Sequence, residues 1–172
     1  QKNTAEDLSN VMAELKPKGL KGLILDLRWN PGGLLDSAWQ VSSLFLHRGD
    51  AVVSTKGRNQ GEDQHLNAAS EGPYADVPLV VLVDEGSASA SEIVSGAVQD
   101  LDLGIVAGRT TFGKGLVQTV IPLTRSVKGP KLKLTTAKYY TPSGRCIQKD
   151  EQLKDGALAG DDGAEDAPAP AL

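Results

Sequence analysis

The fold of this chain is indicated first by twenty residues, 78 to 97, which read PLVVLVDEGSASASEIVSGA. The run from Pro78 to Val83 is apolar and β-branched, which is typical of a strand buried on both faces of a parallel sheet. From Ser89 onward, the apolar residues recur at helical spacing. The stretch therefore predicts a buried strand, a turn and a helix, and it places Ser89 at the strand-to-helix junction.

Two roles for Ser89 are consistent with this position. A helix N-terminus presents free N–H groups and the positive end of the helix dipole, a location that favours oxyanion chemistry and a nucleophilic serine. The same segment, from Ser89 to Glu92, also has the Ser-x-x-Glu spacing of a capping box, in which Ser89 only caps the helix. Local spacing leaves both roles open.

Outside this stretch, helical and strand patterns alternate along the chain. Helices are predicted near residues 5 to 16 and 34 to 45, and strands near 20 to 27, 51 to 55, 104 to 108, 116 to 123 and 131 to 139. Residues 56 to 77 lack periodicity and predict a long surface loop. The alternation indicates an α/β domain with a largely parallel sheet.

Composition divides the chain into a core of residues 1 to 149 and an acidic tail of residues 150 to 172. The formal charge of −4 comes from the tail, which is rich in Ala, Pro, Gly and acidic residues and is expected to be disordered. A core without Lys/Arg runs argues against nucleic acid as a partner. The single cysteine, Cys146, excludes an intramolecular disulfide and a Cys-based metal site, and we interpret it as a small, half-buried apolar residue on a strand.

Lys114 is the main candidate for a base that could activate Ser89. It lies between Gly113 and Gly115, and the predicted helix and following strand return the chain to the level of Ser89. The lysine would have to be neutral, which its apolar neighbours, beginning with Phe112, could favour by excluding water. A solvated loop lysine is the alternative.

Other polar residues have weaker claims to a catalytic role. Gln118 follows Lys114 by four residues, on the same face of an extended strand, where its amide could orient the lysine. His47 and His65 are the two histidines of the chain, and neither has a motif around it. Asp100 lies about 16 Å from Ser89 along a straight helix and is expected to be structural, like the turn-forming Asp26.

The turn Asn30-Pro31-Gly32-Gly33 follows the first predicted strand and could complete an oxyanion site. Paired glycines let a backbone N–H approach a ligand closely, so Gly33 could donate opposite Ala90. A simple turn is the alternative. Neither the Walker nor the Rossmann glycine spacing is present, so phosphate binding is not expected.

Four blocks of this sequence together resemble the C-terminal processing peptidases, also called tail-specific proteases. They are residues 22 to 35 (GLILDLRWNPGGLL), 86 to 93 (GSASASEI), 111 to 118 (TFGKGLVQ) and 137 to 145 (AKYYTPSGR). The resemblance implies a crotonase-like spiral of βαβ units. It also implies a serine–lysine dyad of Ser89 and Lys114, assisted by Gln118, with oxyanion donors from Ala90 and the Gly32-Gly33 turn.

The same resemblance suggests how such an enzyme would work. It implies a serine endopeptidase that needs no metal or cofactor and cleaves near apolar C-termini of proteins, and it leaves room for a regulatory or adaptor protein and for oligomers. It also implies a periplasmic or otherwise exported location, with membrane association open. The PDZ domain usual in the family is not found in these residues. A peptide-binding scaffold with a dormant dyad is therefore one alternative, and an acyl-CoA enzyme of crotonase type is a less favoured one.

Overall fold

A computed structural model describes residues 3–57, 63–124 and 129–149 of the chain. Its helices are α1 (Thr4–Leu15), α2 (Leu35–Ser43) and α3 (Ala90–Asp100), with a short 3₁₀ turn at Lys16–Lys18. Its strands are β1 (Leu23–Asp26), β2 (Ala51–Gly57), β3 (Gln64–Asn67), β4 (Leu79–Val83), β5 (Gly104–Gly108), β6 (Leu116–Pro122) and β7 (Lys131–Tyr140). The alternation of helices and strands confirms the predicted α/β class.

A three-stranded parallel sheet in the order β1-β4-β5 carries the serine junction. The predicted strand at residues 78 to 83 is β4, the central strand of this sheet. Its alternate residues Leu79, Val81 and Val83 are buried beneath the helices. The opposite face is more open, because Ile24 and Ile105 on the flanking strands are 67% and 65% exposed. The expectation that β4 is buried on both faces is therefore met on one face only.

The three helices cover the buried face of the parallel sheet and form the core with it. Helix α2 packs against both α1 and α3, and α3 also packs on β5. Met12 of α1 and Ile93 and Val98 of α3 are almost completely buried. The apolar stripes that predict these helices therefore form the interface between helices and sheet, where apolar burial contributes most to stability.

The other four strands form an antiparallel sheet in the order β3-β2-β7-β6. The period-two pattern predicts β6 and β7 correctly, and they pair as a hairpin whose outer strand, β6, is an edge of the sheet. The predicted loop at residues 56 to 77 contains the additional strand β3, of which Leu66 is the apolar member. The pairing of β3 with β2, rather than an apolar pattern of its own, specifies that strand.

The remaining predictions about organisation concern the ends of the chain and its one cysteine. Residues 150 to 172, predicted to form a disordered acidic tail, lie outside the described residues, so the division at residue 149 stays a prediction. Cys146 is buried, in agreement with an apolar role, and its backbone forms an isolated antiparallel β-bridge with Tyr140 of β7. Within residues 3–57, 63–124 and 129–149, no helix is long and apolar enough to cross a membrane.

Candidate active site

Ser89 stands immediately before α3, in the turn that follows β4. Its backbone has φ 55° and ψ −113°, a left-handed conformation that costs a residue with a side chain on the order of 1–3 kcal/mol. Such strain persists only where the surroundings fix the backbone, and it occurs often at active sites. The half-buried Ser89 lies between the buried residues Ala88 and Ala90. The predicted strand-to-helix junction is thus present, and Ser89 is its residue with strained backbone angles.

Glu92 joins the serine turn to the lysine loop. Its side chain is fully buried, and its Oε2 atom accepts the backbone N–H of Ser89 at 2.7 Å and that of Lys114 at 2.9 Å. The sum of the two distances, 5.6 Å, is the upper limit on the separation of those two nitrogens. Glu92 Oε1 accepts the Thr111 hydroxyl at 2.8 Å and the Gly113 N–H at 2.6 Å.

The Lys114 side chain itself is exposed in this chain. Among the described residues it forms no hydrogen bond with the Ser89 hydroxyl, although catalytic hydrogen bonds often close only when substrate binds. The shielding expected from Phe112 is not provided, because that residue is 61% exposed. Glu92 therefore brings the two backbones together, while the side chains of Ser89 and Lys114 remain unconnected.

The turn at residues 30 to 33 is bonded directly to the serine turn. The Asn30 carbonyl accepts the Ala88 N–H and the Ser91 hydroxyl, both at 3.0 Å. Gly32 has φ +85°, and a Cβ there would lie 2.4 Å from the Ala88 oxygen and 2.6 Å from the Ala90 nitrogen. Only glycine allows this approach of the two turns.

The N–H groups of the two glycines predicted as oxyanion donors differ in their hydrogen bonding. The Gly32 N–H donates to Asn30 Oδ1 at 3.0 Å, so it is already engaged within the turn. Neither the Gly33 N–H nor the Ala90 N–H has a protein acceptor in the part of the chain that the structure describes. Of the donors predicted from sequence, Gly33 and Ala90 are therefore available to a ligand and Gly32 is not.

Asp84 binds the backbone of Trp29, the residue immediately before the turn at residues 30 to 33. Its Oδ1 accepts the backbone N–H groups of Trp29 at 2.8 Å and Gly86 at 2.9 Å, and the Ser87 hydroxyl at 3.3 Å. Burial alone would raise the pKa of Asp84, but these hydrogen bonds lower it below its ordinary value. The Trp29 ring contacts Gly86, yet the residue is 72% exposed.

A cavity of about 470 Å³ opens beside the two available N–H groups. Gly33 and Ala90 are among its lining residues, and Asp26 also borders it. Its other walls are mainly apolar and include Leu25, Leu27, Leu34, Ala38, Val41 and Val94. The site thus places unpaired N–H donors next to space for an apolar group.

Four of the other polar candidates lie in structural contacts. Asp26 binds Arg28 through three hydrogen bonds, which lower its pKa to about 2 and confirm its role in the turn. Asp100 accepts the Ser143 N–H and pairs with Arg145, away from Ser89. His47 pairs with Glu71 on the surface, and His65 lies in β3.

Gln118 lies on β6, where its side chain is exposed. The register of the β6–β7 hairpin shifts between Val117 and Gln118. Such an irregularity interrupts the strict alternation on which a face shared with Lys114 depends. Because Lys114 also precedes the first residue of β6, the orienting role of Gln118 stays a prediction.

Comparison with known proteins places these features in a family. The model of peptidase family S41 matches residues 1–156 of the chain. The chain belongs to peptidase family S41. Within the described residues of this S41 chain, no group of three or more His, Cys, Asp or Glu side chains could hold a metal ion.

Named S41 relatives share most of this chain. It is 47% identical over 141 residues to a carboxy-terminal-processing protease of Bartonella bacilliformis, covering 82% of this chain and 32% of that protein. It is 40% identical over 147 residues to the chloroplastic C-terminal processing peptidase of Tetradesmus obliquus, covering 86% and 31% respectively. The chain therefore spans about a third of the length of these relatives.

A solved S41 structure has the same fold. The photosystem II D1 C-terminal processing protease matches with a TM-score of 0.76 and 37% identity, covering 87% of this chain and 37% of that one. This match confirms the family and the fold that the sequence resemblance implies.

Sequence reasoning missed one central residue of this S41 site. It treated Glu92 as a partner of the helix start, whereas the carboxylate also binds the backbone of the lysine loop. The Ser-x-x-Glu spacing was a signal for half of this role, the bond to the Ser89 N–H. The other half depends on a loop 22 residues away, for which the sequence holds no local signal.

Proposed function

We propose that this chain is the core of a serine endopeptidase that cleaves protein substrates near their C-termini with a Ser89–Lys114 dyad. The observation that carries the proposal is the shared carboxylate oxygen of Glu92, which accepts the N–H groups of both residues. A strained serine beside two unpaired N–H donors supports it further. Membership of the S41 family supports the same reaction class.

In the proposed reaction, the neutral Lys114 amine takes the hydroxyl proton as Ser89 Oγ bonds to the scissile carbonyl carbon. The Gly33 and Ala90 N–H groups stabilise the negative oxygen that develops on that carbon. Lys114 then returns the proton to the leaving amine as the C–N bond breaks, which leaves an acyl-Ser89 ester. Water, deprotonated by Lys114, hydrolyses the ester and restores the serine. Gln118 is proposed to orient Lys114.

The apolar cavity supports a preference for apolar residues next to the cleaved bond. Gly33 and Ala90 line this cavity, so a side chain next to a carbonyl bound by their N–H groups would lie beside it. Burying such a side chain contributes about 25 cal/mol per Å² of apolar surface. We therefore propose substrates with apolar C-terminal segments, a periplasmic or otherwise exported location, and room for an adaptor or an oligomer.

The test is cleavage of peptides with apolar C-terminal tails, followed by mass spectrometry. Wild type should cleave, and Ser89→Ala and Lys114→Ala should each lose at least about 10³-fold in rate. Ser70→Ala and Lys21→Ala, at exposed positions of matching residue type, should retain wild-type rates. Undiminished cleavage by either dyad variant would refute the proposed chemistry.

One observation favours a second candidate, a peptide-binding scaffold. The Lys114 side chain is exposed and lacks a hydrogen bond to the Ser89 hydroxyl in the described part of the chain. A scaffold would bind apolar-tailed peptides in a calorimetric titration and leave them intact in the mass spectrum. Binding without cleavage by wild type would therefore select this candidate over the peptidase.

A further inference from the structure

The segment that follows β7 returns to the lysine loop and binds it on both sides of Lys114. The Lys149 N–H donates to the Gly113 carbonyl at 3.2 Å, and the Gly115 N–H donates to the Gln148 Oε1 atom at 3.1 Å. These two bonds enclose Lys114 without involving its side chain. They hold the loop in addition to Glu92, which binds the Lys114 N–H itself.

Both glycines beside Lys114 are required for this contact. A Cβ on Gly115 would lie 2.3 Å from the Gln148 nitrogen and 2.8 Å from the Ile147 carbonyl carbon. A Cβ on Gly113 would lie 2.6 Å from the Lys149 Cβ, and the φ of Gly113 is +84°. The two glycines thus allow direct backbone packing of the lysine loop against the returning segment.

The returning segment is anchored in turn at the C-terminal end of α3. Asp100 Oδ2 accepts the Ser143 N–H at 3.0 Å, and Asp100 Oδ1 pairs with Arg145 Nη2 at 2.8 Å. The Asp100 side chain is 7% exposed and that of Arg145 is 24% exposed, so solvent screens this ion pair little. Arg145 Nη2 also donates to Gln99 Oε1 at 3.2 Å.

Helix α3 therefore connects two anchoring points of the dyad. Its N-terminal end holds Ser89, and its C-terminal end, about 15 Å away, holds the segment that encloses Lys114. The Asp100–Arg145 pair at the far end of the helix is joined to the lysine loop by this segment, in addition to the contact of Glu92 near the helix start. The distance that prevents Asp100 from touching Ser89 is compatible with such an indirect role.

We propose that residues 143 to 149 form a positioning clamp for Lys114, with Gln148 as its acceptor and the Asp100–Arg145 pair as its anchor. The inference rests on the proposed dyad chemistry and identifies which residues set the approach of the base to Ser89. Gln148, Asp100 and Arg145 are positioning residues. None of them touches the reacting atoms.

The direct test compares two variants. Gln148→Leu removes the hydrogen-bond acceptor of the Gly115 N–H, whereas Gln148→Glu keeps an acceptor oxygen at the same position. Hydrogen exchange at the Gly115 amide, measured by NMR, reports the clamp without requiring activity. Loss of one hydrogen bond should raise this exchange about tenfold in Gln148→Leu, and Gln148→Glu should restore slow exchange. Equal exchange in wild type and Gln148→Leu would overturn the clamp.

The catalytic consequence is tested in the same variants with peptide substrate and with a fluorophosphonate, which phosphonylates an activated serine and releases fluoride. Gln148→Leu and Asp100→Asn should lower kcat and the phosphonylation rate about tenfold and leave KM unchanged, because only the base is displaced. Gln148→Glu should regain most of kcat at a pH high enough to deprotonate Lys114, because the added carboxylate favours the protonated lysine. A change in KM alone would contradict a positioning role.

Two controls separate this inference from the proposed function. Glu71→Gln breaks an ion pair far from the lysine loop and should leave kcat and Gly115 exchange unchanged. If Lys114→Ala is inactive while Gln148→Leu and Asp100→Asn are both fully active, the clamp is refuted and the dyad stands. If Ser89 is unreactive in wild type, the proposed function fails, the positioning role fails with it, and Gly115 exchange still decides whether the contact exists.

Discussion

The serine turn and the lysine loop are held in place by different kinds of contact. Ser89 lies between the buried strand β4 and the helix α3 that follows it, and its N–H donates to Glu92, only three residues away. The lysine loop depends on bonds that span 22 residues to Glu92 and 33 residues to Gln148. The serine is thus positioned mainly by its neighbours in sequence, whereas the lysine is positioned by segments that folding must bring to it.

This difference extends to the environment of the two side chains. Ser89 is half-buried and backbone-strained, next to a turn so closely packed that a Cβ on Gly32 would lie 2.4 Å from the Ala88 oxygen. Lys114 is exposed, and only its backbone is fixed in the described structure. In the proposed dyad, the nucleophile would therefore lie in a closely packed turn, and the base would have a fixed backbone and an exposed side chain.

Replacement of Glu92 is expected to have the largest effect, because this carboxylate serves both regions. Glu92→Ala leaves four donors without their acceptor in a buried site, which should cost about 3 kcal/mol or more of unfolding free energy. Cleavage should fall by at least about 10³-fold, since both turns lose their common partner. Urea unfolding and peptide cleavage measure the two effects.

Glu92→Gln sharpens this test because it keeps the side-chain shape. An amide has one acceptor oxygen, so its NH₂ group must face two of the four donors. We expect most of the activity loss of Glu92→Ala with a smaller loss of stability. Full activity in Glu92→Gln would show that the contacts with Gln148 and Lys149 alone hold the lysine loop.

Gly32→Ala should have the next largest effect, and it acts on the serine side only. The new Cβ would displace the turn from Ala88 and Ala90 and move the Gly33 N–H from the oxyanion position. Loss of one such donor typically lowers kcat by about 10²-fold or more. Gly49→Ala is the matched control, because Gly49 has a φ of +93° and open space around it. Equal activity in both variants would contradict an oxyanion role for this turn.

The same contrast explains how much of the site could be predicted from the sequence. The β4 pattern, the turn and the helical stripe of α3 are all local signals, so Ser89 was placed correctly at the junction. The available donors Gly33 and Ala90 also lie at strand-to-helix turns that the sequence identifies. These elements are specified by apolar periodicity and turn residues within a few positions of each other.

The contacts of the lysine loop could not be predicted in this way. Gln148 and Asp100 have no distinctive pattern around them in the sequence, and their contacts form only when residues 143 to 149 fold back against Gly113 and Gly115. The strand β3 was missed for a similar reason, since its pairing with β2 specifies it more than its own composition does. Long-range pairing overrides local propensity in both cases.

Asp84 offers a pH-dependent test confined to the serine side. Its pKa in the folded state lies below the ordinary value of 3.8, so its contribution to stability is present above that value. The contribution is lost as the pH falls through the folded-state pKa. Wild type should therefore exceed Asp84→Asn in urea midpoint at pH 7, and the difference should shrink below about pH 3.8. A difference that does not depend on pH would exclude the ionised carboxylate as its source.

The smallest effect is expected at the exposed pair of His47 and Glu71, which lies outside both regions. The hydrogen bond that the His47 ring donates to Glu71, together with the negative charge of Glu71, raises the pKa of His47 above 6.5. The stabilisation from this pair should therefore be complete below pH 6.5 and disappear as the pH rises through the higher folded-state value. In Glu71→Gln, the NMR titration of the His47 ring should move to lower pH, with the signal assigned by His47→Gln.

Cleavage should not change, because neither the serine turn nor the lysine loop contacts this pair. A loss of activity in Glu71→Gln would mean that the two regions depend on contacts beyond Glu92 and residues 143 to 149.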